Sequence, residues 1–266
     1  VLGVEAARAE SQLRELYRPL NLIEAPILVT DLESAEITKY AANAFLATKI
    51  SFINEIANLC EKTGADVHAV AKGMGLDGRI GKKFLHAGPG YGGSCFPKDT
   101  EAMIQICRDS GATSKIVEAV VAVNNDQKLR MVEKIERALG GDVSDAKIAV
   151  LGLTFKPETD DMRDAPSLTI LPALLARGAA IAAHDPQGLN EAKGLLPADV
   201  EFHNHIEDAV ADADAIVLVT EWNQYRGLNL ENLKSHMRGN VFVDLRNVYE
   251  KELMERHGFV YCCVGR

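Results

Sequence analysis

A long stretch of the chain, residues 34–62, contains neither proline nor glycine and can form one continuous helix. Asp31 or Ser34 can cap its N terminus, and Gly64 follows its end. At ~1.5 Å per residue this helix is about 40 Å long. Because apolar residues occur on all of its sides, we expect it to be buried against more than one neighbour. A dimer or domain interface is the simplest explanation.

Lys39 and Asn43 lie four residues apart in this run and therefore share one face of the predicted helix. On spacing alone, a solvated lysine and a neutral asparagine are the favoured interpretation. Asparagine is nevertheless a poor residue for a helix interior, which indicates a specific purpose for Asn43. The residues by themselves leave both interpretations open.

A second segment, Gly88–Thr100, combines a glycine-rich loop with a cysteine and the start of a helix. Glycines allow the backbone to bend sharply and to approach a ligand closely. Because proline is favoured in the first turn of a helix, Pro97 places Cys95 just before a helix N terminus, beside Lys98. Both features favour a reactive thiolate. Asp99 follows one turn along, where it can orient water or transfer protons.

Plainer interpretations compete with this one. Most cysteines are small buried hydrophobes, and most glycine-rich loops are only turns. Glycines, thiol, lysine, aspartate and helix start all coincide in Gly88–Thr100, which favours a reactive thiol in a ligand-binding loop. A thiol-based redox sensor is a weaker alternative built on the same cysteine.

Three cations precede this loop, although the chain as a whole is acidic: Arg79, Lys82 and Lys83. They form either a solvated turn or a positive site for a phosphorylated ligand, since arginine pairs well with phosphate oxygens. Phe84, which follows them, offers an aromatic face to a base.

Two more helices are expected after the loop, over residues 99–110 and 114–138. Asn124 and Asn125 lie inside the second and mark either a kink or a packed polar contact. From residue 147 onward, strands of the buried type alternate with helices, which indicates a doubly wound parallel sheet. The predicted fold class is therefore α/β, with an all-helical part built on a long helix before the sheet.

Ligands of such sheets bind beyond the carboxyl ends of the strands. The loop after Leu151 contains no G-x-G-x-x-G, which argues against a dinucleotide site there, and its basic character suits another phosphorylated molecule. The candidates at the strand ends are Phe155, Lys156, Asp185, Glu221, Trp222, Asp244 and Arg246.

Composition excludes several classes of partner. The net charge of −9 argues against a nucleic-acid partner, because phosphate binding needs a basic patch. Every apolar run is shorter than the ~18 residues of a membrane span. The five cysteines form neither a disulfide framework nor a Cys-x-x-Cys site, so we expect no metal and a reducing, cytoplasmic location.

Several blocks, in order along essentially the whole chain, resemble the nucleotide-sugar 6-dehydrogenases of the UDP-glucose/GDP-mannose dehydrogenase family. The blocks are residues 39–45, 79–81, 84–88, 90–100, 152–156, 163 and 244–246. The resemblance implies an all-helical central dimerisation domain over residues 31–138 and a Rossmann-like UDP-sugar-binding domain over residues 139–266. Residues 1–30 then correspond to the remnant of an N-terminal NAD-binding domain.

The resemblance also implies a reaction. Members of the family oxidise the C6 hydroxyl of the sugar to a carboxylate in two NAD-dependent hydride transfers. Cys95 matches the nucleophile that captures the aldehyde as a thiohemiacetal and then carries a thioester. Lys39 and Asn43 match the pair that stabilises the developing oxyanion, and Asp99 matches the residue that assists water and proton movement.

Substrate and cofactor positions follow from the same resemblance. Ser94 stands where relatives acting on N-acetylhexosamine nucleotides carry histidine, and segment 79–93 is most similar to enzymes of UDP-glucose, with GDP-mannose enzymes as the nearest alternative. Lys98 and Arg163 match positions that contact NAD, and the long helix matches the element that forms a homodimer. The implied substrate contacts are Lys39, Asn43, Arg79, Phe84, Leu85, His86, Ala87, Gly88, Tyr91, Gly92, Phe155, Lys156 and Arg246.

One departure from the family leaves two expected functions open. The family begins with a G-x-G-x-x-G loop and an acidic ribose-binding residue, and residues 1–30 contain neither. The expected function is therefore an NAD-dependent nucleotide-sugar 6-dehydrogenase or a truncated, non-catalytic fragment that binds the nucleotide sugar.

Overall fold

The computed structural model describes residues 1–20 and 26–266, so residues 21–25 of the expected 1–30 segment lie outside the described residues. Within the described ranges, a helical region is followed by a region built on a parallel sheet, as the alternation of strands and helices predicts. None of the helices in these ranges is long and apolar enough to cross a membrane.

A two-stranded sheet precedes the helical region. β1 (Leu2–Gly3) pairs in parallel with β2 (Val29–Thr30), and α1 (Ala7–Tyr17) lies between them in the chain. A Cβ added to Gly3 would lie 2.8 Å from the Cβ of Ala35, in the first turn of the next helix. These first elements therefore pack on the helical region and do not form a separate core.

The helical region contains α2 (Leu32–Thr63), α3 (Val67–Gly75), α4 (Phe96–Asp109) and α5 (Lys115–Ala138). The predicted long helix is α2. The Asp31 carboxylate accepts a hydrogen bond from the Ser34 amide at 2.7 Å, and Gly64 ends the helix with a left-handed φ of 76°. Because α4 begins at Phe96, three residues before the predicted start, Cys95 is itself the N-cap residue.

The sheet region contains six parallel strands in the spatial order β5-β4-β3-β6-β7-β8. The order reverses between β3 and β6, so a switch point lies beside the carboxyl ends of these two strands. The strands are β3 (Lys147–Leu151), β4 (Ala180–His184), β5 (Val200–Phe202), β6 (Ala215–Leu218), β7 (Val241–Asp244) and β8 (Val260–Cys263). The helices are α6 (Ser167–Leu175), α7 (Leu189–Leu195), α8 (Ile206–Val210), α9 (Leu230–His236) and α10 (Lys251–Arg256).

The two regions share one hydrophobic core. Ile53 of α2 and Ile135 of α5 are fully buried in the same cluster as Val150 of β3 and Leu171 of α6. The burial of apolar surface on α2 and α5 therefore fixes the helical region against the sheet, and with it the distance between their loops.

Ile104 tests the packing of α4 against α2 and α5. Its side chain is 4% exposed and clusters with Ala44 and Val117, whereas Ile106 on the same helix is 40% exposed. We expect Ile104→Ala to lower the free energy of unfolding by about 2–4 kcal/mol, because it leaves a cavity, and Ile106→Ala by less than about 1 kcal/mol. Chemical denaturation measures both changes, and equal losses would contradict this packing.

Candidate active site

Three polar side chains from two helices meet at the start of α4. The Asp99 Oδ2 atom accepts hydrogen bonds from Lys39 Nζ at 2.7 Å and from Asn43 Nδ2 at 2.5 Å. Lys39 and Asn43 lie one turn apart on α2, so one carboxylate oxygen contacts both. Asp99 is fully buried, while most of the Lys39 side chain is exposed. Lys39 is thus exposed, as the solvated interpretation expects, but both it and Asn43 are hydrogen-bonded to a buried carboxylate.

The contacts of Asp99 determine its charge. Burial raises its pKa, but the hydrogen bonds from Lys39 and Asn43, with the charges of Lys39 and Lys98, outweigh burial and lower that pKa below its ordinary value. The same hydrogen bond raises the pKa of Lys39. The Asp99 Oδ1 atom is buried and has no hydrogen-bond partner among the described residues, so it can accept one from a bound water or ligand.

Cys95 lies at the N terminus of α4, next to this cluster. Its thiol is exposed, and its Sγ atom lies 3.8 Å from the Ser94 hydroxyl. The hydrogen bond to Asp161 raises the pKa of Arg163, as that to Asp99 raises the pKa of Lys39, and the nearby Cys95 adds a smaller contribution to each. An exposed thiol beside an ammonium and a helix N terminus is arranged to act as a nucleophile.

The glycine loop touches the sheet region through its backbone. The Gly93 amide donates a hydrogen bond to the Arg163 carbonyl at 2.7 Å. Gly93 has a φ of 86°, and a Cβ there would lie 2.6 Å from the Phe155 ring. A Cβ on Gly92 would overlap the Asp164 carbonyl. The two glycines are thus required where the loop meets residues 155–164, a contact within the protein that the sequence did not predict.

Arg246 bonds to segments that follow two other strands of the sheet, close to this loop. Its Nε atom donates to the Val219 carbonyl at 2.7 Å and lies 3.0 Å from Glu221 Oε2, while Nη2 donates to the Phe155 carbonyl at 3.2 Å. Its Nη1 atom faces Gly88, 3.5 Å from the position a Cβ would take there. Lys156 is exposed, with Nζ 5.3 Å from the centre of the Phe155 ring.

Two other candidates at the strand ends, Asp185 and Asp244, stabilise the fold through hydrogen bonds within the protein. Asp185 accepts hydrogen bonds from the Leu153 and Gly188 amides, both at 2.7 Å, and from the Trp222 indole at 3.2 Å. Asp244 Oδ2 likewise accepts bonds from two backbone amides in the loop after β7 and from a tyrosine hydroxyl. Their position at strand ends is as predicted, but their oxygens are occupied by the protein.

Only part of the segment before the glycine loop lies near the site. Arg79 is exposed and pairs with Asp77 on a turn, with Nη2 2.6 Å from Oδ2. Phe84 has a positive φ of 64°, which turns its ring edge-on to Phe96 at 6.0 Å between centres. Leu85, Ala87, Gly88, Tyr91 and Gly92 are buried, and His86 is exposed. Burial raises the pKa of Tyr91 to about 12.

The two residues expected at the cofactor are both exposed. Arg163 pairs with Asp161 through Nε at 2.9 Å and Nη2 at 2.7 Å. Lys98 Nζ lies 3.7 Å from Asp99 Oδ1. Both cations are therefore accessible to an anionic ligand.

The open question about Asn124 is settled by its contacts. Its Oδ1 atom accepts a hydrogen bond from the Tyr91 amide at 2.8 Å, and its Nδ2 donates to the Tyr91 carbonyl at 3.1 Å. Because α5 continues without a break through this position, the residue marks a packed polar contact and not a kink. Two further amides that hold the loop, Asn54 and Gln127, were not among the candidates, although each is a polar residue inside an apolar helix.

Two family models match the chain: the UDP-glucose/GDP-mannose dehydrogenase family central domain over residues 33–126 and the UDP binding domain of that family over residues 149–251. The chain belongs to the UDP-glucose/GDP-mannose dehydrogenase family. The resemblance expected from the sequence blocks is confirmed, and so is the α/β fold with its helical and parallel-sheet regions.

Individual relatives agree with the family models. The chain is 51% identical to UDP-glucose 6-dehydrogenase of Rhizobium meliloti (strain 1021) and 46% identical to UDP-glucose 6-dehydrogenase TuaD of Bacillus subtilis (strain 168). All of this chain is matched, but only 61% and 57% of those relatives. A UDP-glucose dehydrogenase from Pyrobaculum islandicum has a similar structure, with a TM-score of 0.86 and 37% identity over 98% of this chain and 57% of that one.

Asp99 gives the stability of the chain a pH dependence of defined sign. Because its pKa is lowered in the folded chain, its ionised carboxylate stabilises the fold above the ordinary pKa of 3.8, and this contribution is lost as pH falls through the lower folded value. We expect the parent to lose more stability than Asp99→Asn between about pH 5 and pH 2, measured by urea denaturation. The exposed-site control Asp160→Asn should keep the parental profile. A parental profile in Asp99→Asn would show that the carboxylate contributes nothing.

Proposed function

We propose that this chain is the central and nucleotide-sugar-binding part of a UDP-glucose 6-dehydrogenase. The observation that carries the proposal is the exposed Cys95 thiol at the N terminus of α4, beside the Lys39–Asn43–Asp99 cluster. The two relatives named above match the whole of this chain at 51% and 46% identity, which supports this assignment. Because the chain spans about three fifths of their length, its activity, substrate and partners belong to this proposal.

The proposed reaction oxidises UDP-glucose to UDP-glucuronate. NAD, when bound, would supply the hydride acceptor for each of the two oxidations. The Cys95 sulfur adds to the C6 aldehyde of the sugar to give a thiohemiacetal, which becomes a thioester when its hydride and a proton leave. Water then attacks the thioester carbonyl, supplies the second carboxylate oxygen and releases the thiol.

The remaining residues of the cluster fit the charges that develop in this sequence. Lys39 and Asn43 present an ammonium and an amide N–H, both of which stabilise an oxyanion on C6. The free Oδ1 of Asp99 can accept a hydrogen bond from the attacking water. Lys98 and Arg163 are exposed cations and are the residues of this chain proposed to contact NAD.

The sheet region is proposed to hold the nucleotide. Arg246, Phe155 and Lys156 meet at the carboxyl ends of the strands, where ligands of such sheets bind, and offer two cations and an aromatic ring to a UDP group. We assign residues 31–138 to the central domain, residues 139–266 to the nucleotide-sugar domain and residues 1–30 to the end of the NAD-binding domain. The names of the two relatives, both UDP-glucose 6-dehydrogenases, support UDP-glucose over GDP-mannose. Five free cysteines in the described residues support a reducing, cytoplasmic location.

Calorimetry of this chain with UDP-glucose, GDP-mannose and NAD tests the proposal. We expect saturable binding of UDP-glucose, about tenfold or more tighter than GDP-mannose, and protection of Cys95 from iodoacetamide by UDP-glucose. Arg246→Ala should weaken UDP-glucose binding by about 10–100-fold, because it removes charge-assisted hydrogen bonds. Arg256→Ala, at an exposed arginine of α10, is the matched control and should bind like the parent.

The outcomes separate the two expected functions. Binding of both UDP-glucose and NAD supports the enzyme, and binding of UDP-glucose without NAD supports a nucleotide-sugar-binding role without catalysis. A folded chain that binds no UDP-glucose contradicts the proposal.

An exposed apolar stripe on α2 supports a homodimer. Phe45, Phe52 and Leu59 are exposed although each is large and apolar, and their spacing of seven residues places them on one face. Ile116 of α5 borders the same groove as Phe52 and is also exposed. We propose that a second copy of the chain covers this face.

Substitution of Phe52 tests the dimer. Light scattering after size exclusion should give about twice 28.9 kDa for the parent and a single chain for Phe52→Asp, because a buried unpaired carboxylate is strongly unfavourable at an interface. Leu195→Asp, at a side chain that is also exposed (56% against 45% for Phe52) but lies on α7, should remain dimeric. A monomeric parent would contradict the proposed dimer.

A further inference from the structure

A row of polar side chains is buried on one face of α5. Asn124, Gln127 and Lys128 are 3%, 1% and 7% exposed. Their spacing of three and four residues places them side by side on one face of the helix. Buried polar groups are unfavourable unless they are hydrogen-bonded, so the partners of this row indicate why it is present.

The first partner is the backbone of the glycine loop. Asn124 bonds both the amide and the carbonyl of Tyr91, at 2.8 and 3.1 Å, so the amide side chain clamps one residue of the loop from both directions. Gln127 donates to the Gly88 carbonyl at 2.8 Å. From α2, Asn54 accepts a bond from the Gly88 amide at 2.8 Å. Both the amide and the carbonyl of Gly88 are thus hydrogen-bonded to buried side chains, as those of Tyr91 are.

The second partner is the segment of the sheet region that touches this loop. Lys128 donates to the Asp164 carbonyl at 3.2 Å, and the adjacent Arg163 carbonyl accepts the bond from Gly93. A single face of α5 therefore holds the glycine loop and its neighbour from the sheet region together. Gly90 is required at this contact, because it has a φ of 106° and its Cβ would lie 3.0 Å from Asn124 Oδ1.

We infer that Asn124 is a positioning residue, which holds the Gly88–Gly93 loop so that the sugar of a bound nucleotide sugar meets Cys95. The inference rests on the proposed function, since it takes UDP-glucose as the ligand. Asn124 acts through the loop: it fixes Tyr91, four residues before Cys95. The loop adjoins Cys95, which reacts at the sugar. The loss of Asn124 should therefore weaken the binding of the sugar more than the binding of the UDP group.

The ratio of the affinities for UDP-glucose and for UDP tests this inference, because a general loss of structure would weaken both ligands alike. We expect Asn124→Ala, which removes both buried hydrogen bonds to Tyr91, to reduce the ratio by about tenfold, while the affinity for UDP changes less than about twofold. Asn125→Ala is the matched control, since it removes the same side chain from the next, exposed position of α5. Its ratio should equal that of the parent.

A second variant covers the case in which Asn124→Ala does not fold. Asn124→Asp keeps the shape of the side chain, but an ionised carboxylate cannot donate to the Tyr91 carbonyl, whereas a protonated one can. We expect a reduced affinity ratio, relative to the parent, at about pH 8, where the ordinary aspartate pKa of ~3.9 leaves the carboxylate ionised. Lys98, Glu101, Lys128 and Asp164 line the same cavity as Asn124, and Asn125→Asp, which borders it too, controls for their charges.

Each outcome bears on a different proposal. If the parent binds UDP-glucose and either Asn124 variant keeps the parental ratio under all conditions, the positioning role is overturned while the proposed function stands. If the folded parent binds no UDP-glucose, the proposed function fails, and this inference with it. A reduced ratio in Asn125→Ala of the same size would also overturn the assignment to Asn124.

Discussion

The buried carboxylate of Asp99 is the interaction on which the rest of the site depends. An ionised group without solvent is strongly unfavourable unless it is paired, and Asp99 is paired by Lys39 and Asn43 of α2. These bonds fix the first turn of α4 against the N-terminal half of the long helix. Because Cys95 caps that turn, the position of the thiol follows from the position of the carboxylate. A helix start, a charge pair and a nucleophile are therefore parts of one arrangement.

A second constraint is the close contact between the glycine loop and the sheet region. Gly92 and Gly93 lie against the Asp164 carbonyl and the Phe155 ring, where no side chain fits. Arg246 reaches the same place from the end of β7 and donates to the Phe155 carbonyl. The shared core of α2, α5 and β3 brings the two regions together. The contacts of Gly92, Gly93 and Arg246 then fix the distance between the Cys95 thiol and the carboxyl ends of the strands.

Much of this arrangement could be predicted from the sequence, and the remainder depends on contacts distant along the chain. The long helix follows from the absence of proline and glycine in residues 34–62, a local property. The partner of Asn43 lies 56 residues away and that of Asn124 lies 33 residues away, so spacing alone could not identify them. Asp185 is at a strand end, as the rule for parallel sheets requires, but the rule does not say whether its oxygens face a ligand or the backbone.

The pairing of Lys39 with Asp99 explains how a largely exposed ammonium can serve a defined reaction centre. A free lysine side chain loses considerable rotamer entropy whenever it is ordered around a transition state. Lys39 is already ordered, since its Nζ is held 2.7 Å from a buried carboxylate, and the same bond raises its pKa and keeps it charged. The Oδ1 atom of Asp99, 3.7 Å from Lys98 Nζ, accepts no hydrogen bond in the described part of the chain, so Asp99 can hold the Lys39 ammonium and still accept a hydrogen bond from water. The two steps proposed for Cys95, attack on an aldehyde and hydrolysis of a thioester, need those two capacities at one place. A single buried charge supplies both because its two oxygens face different surroundings.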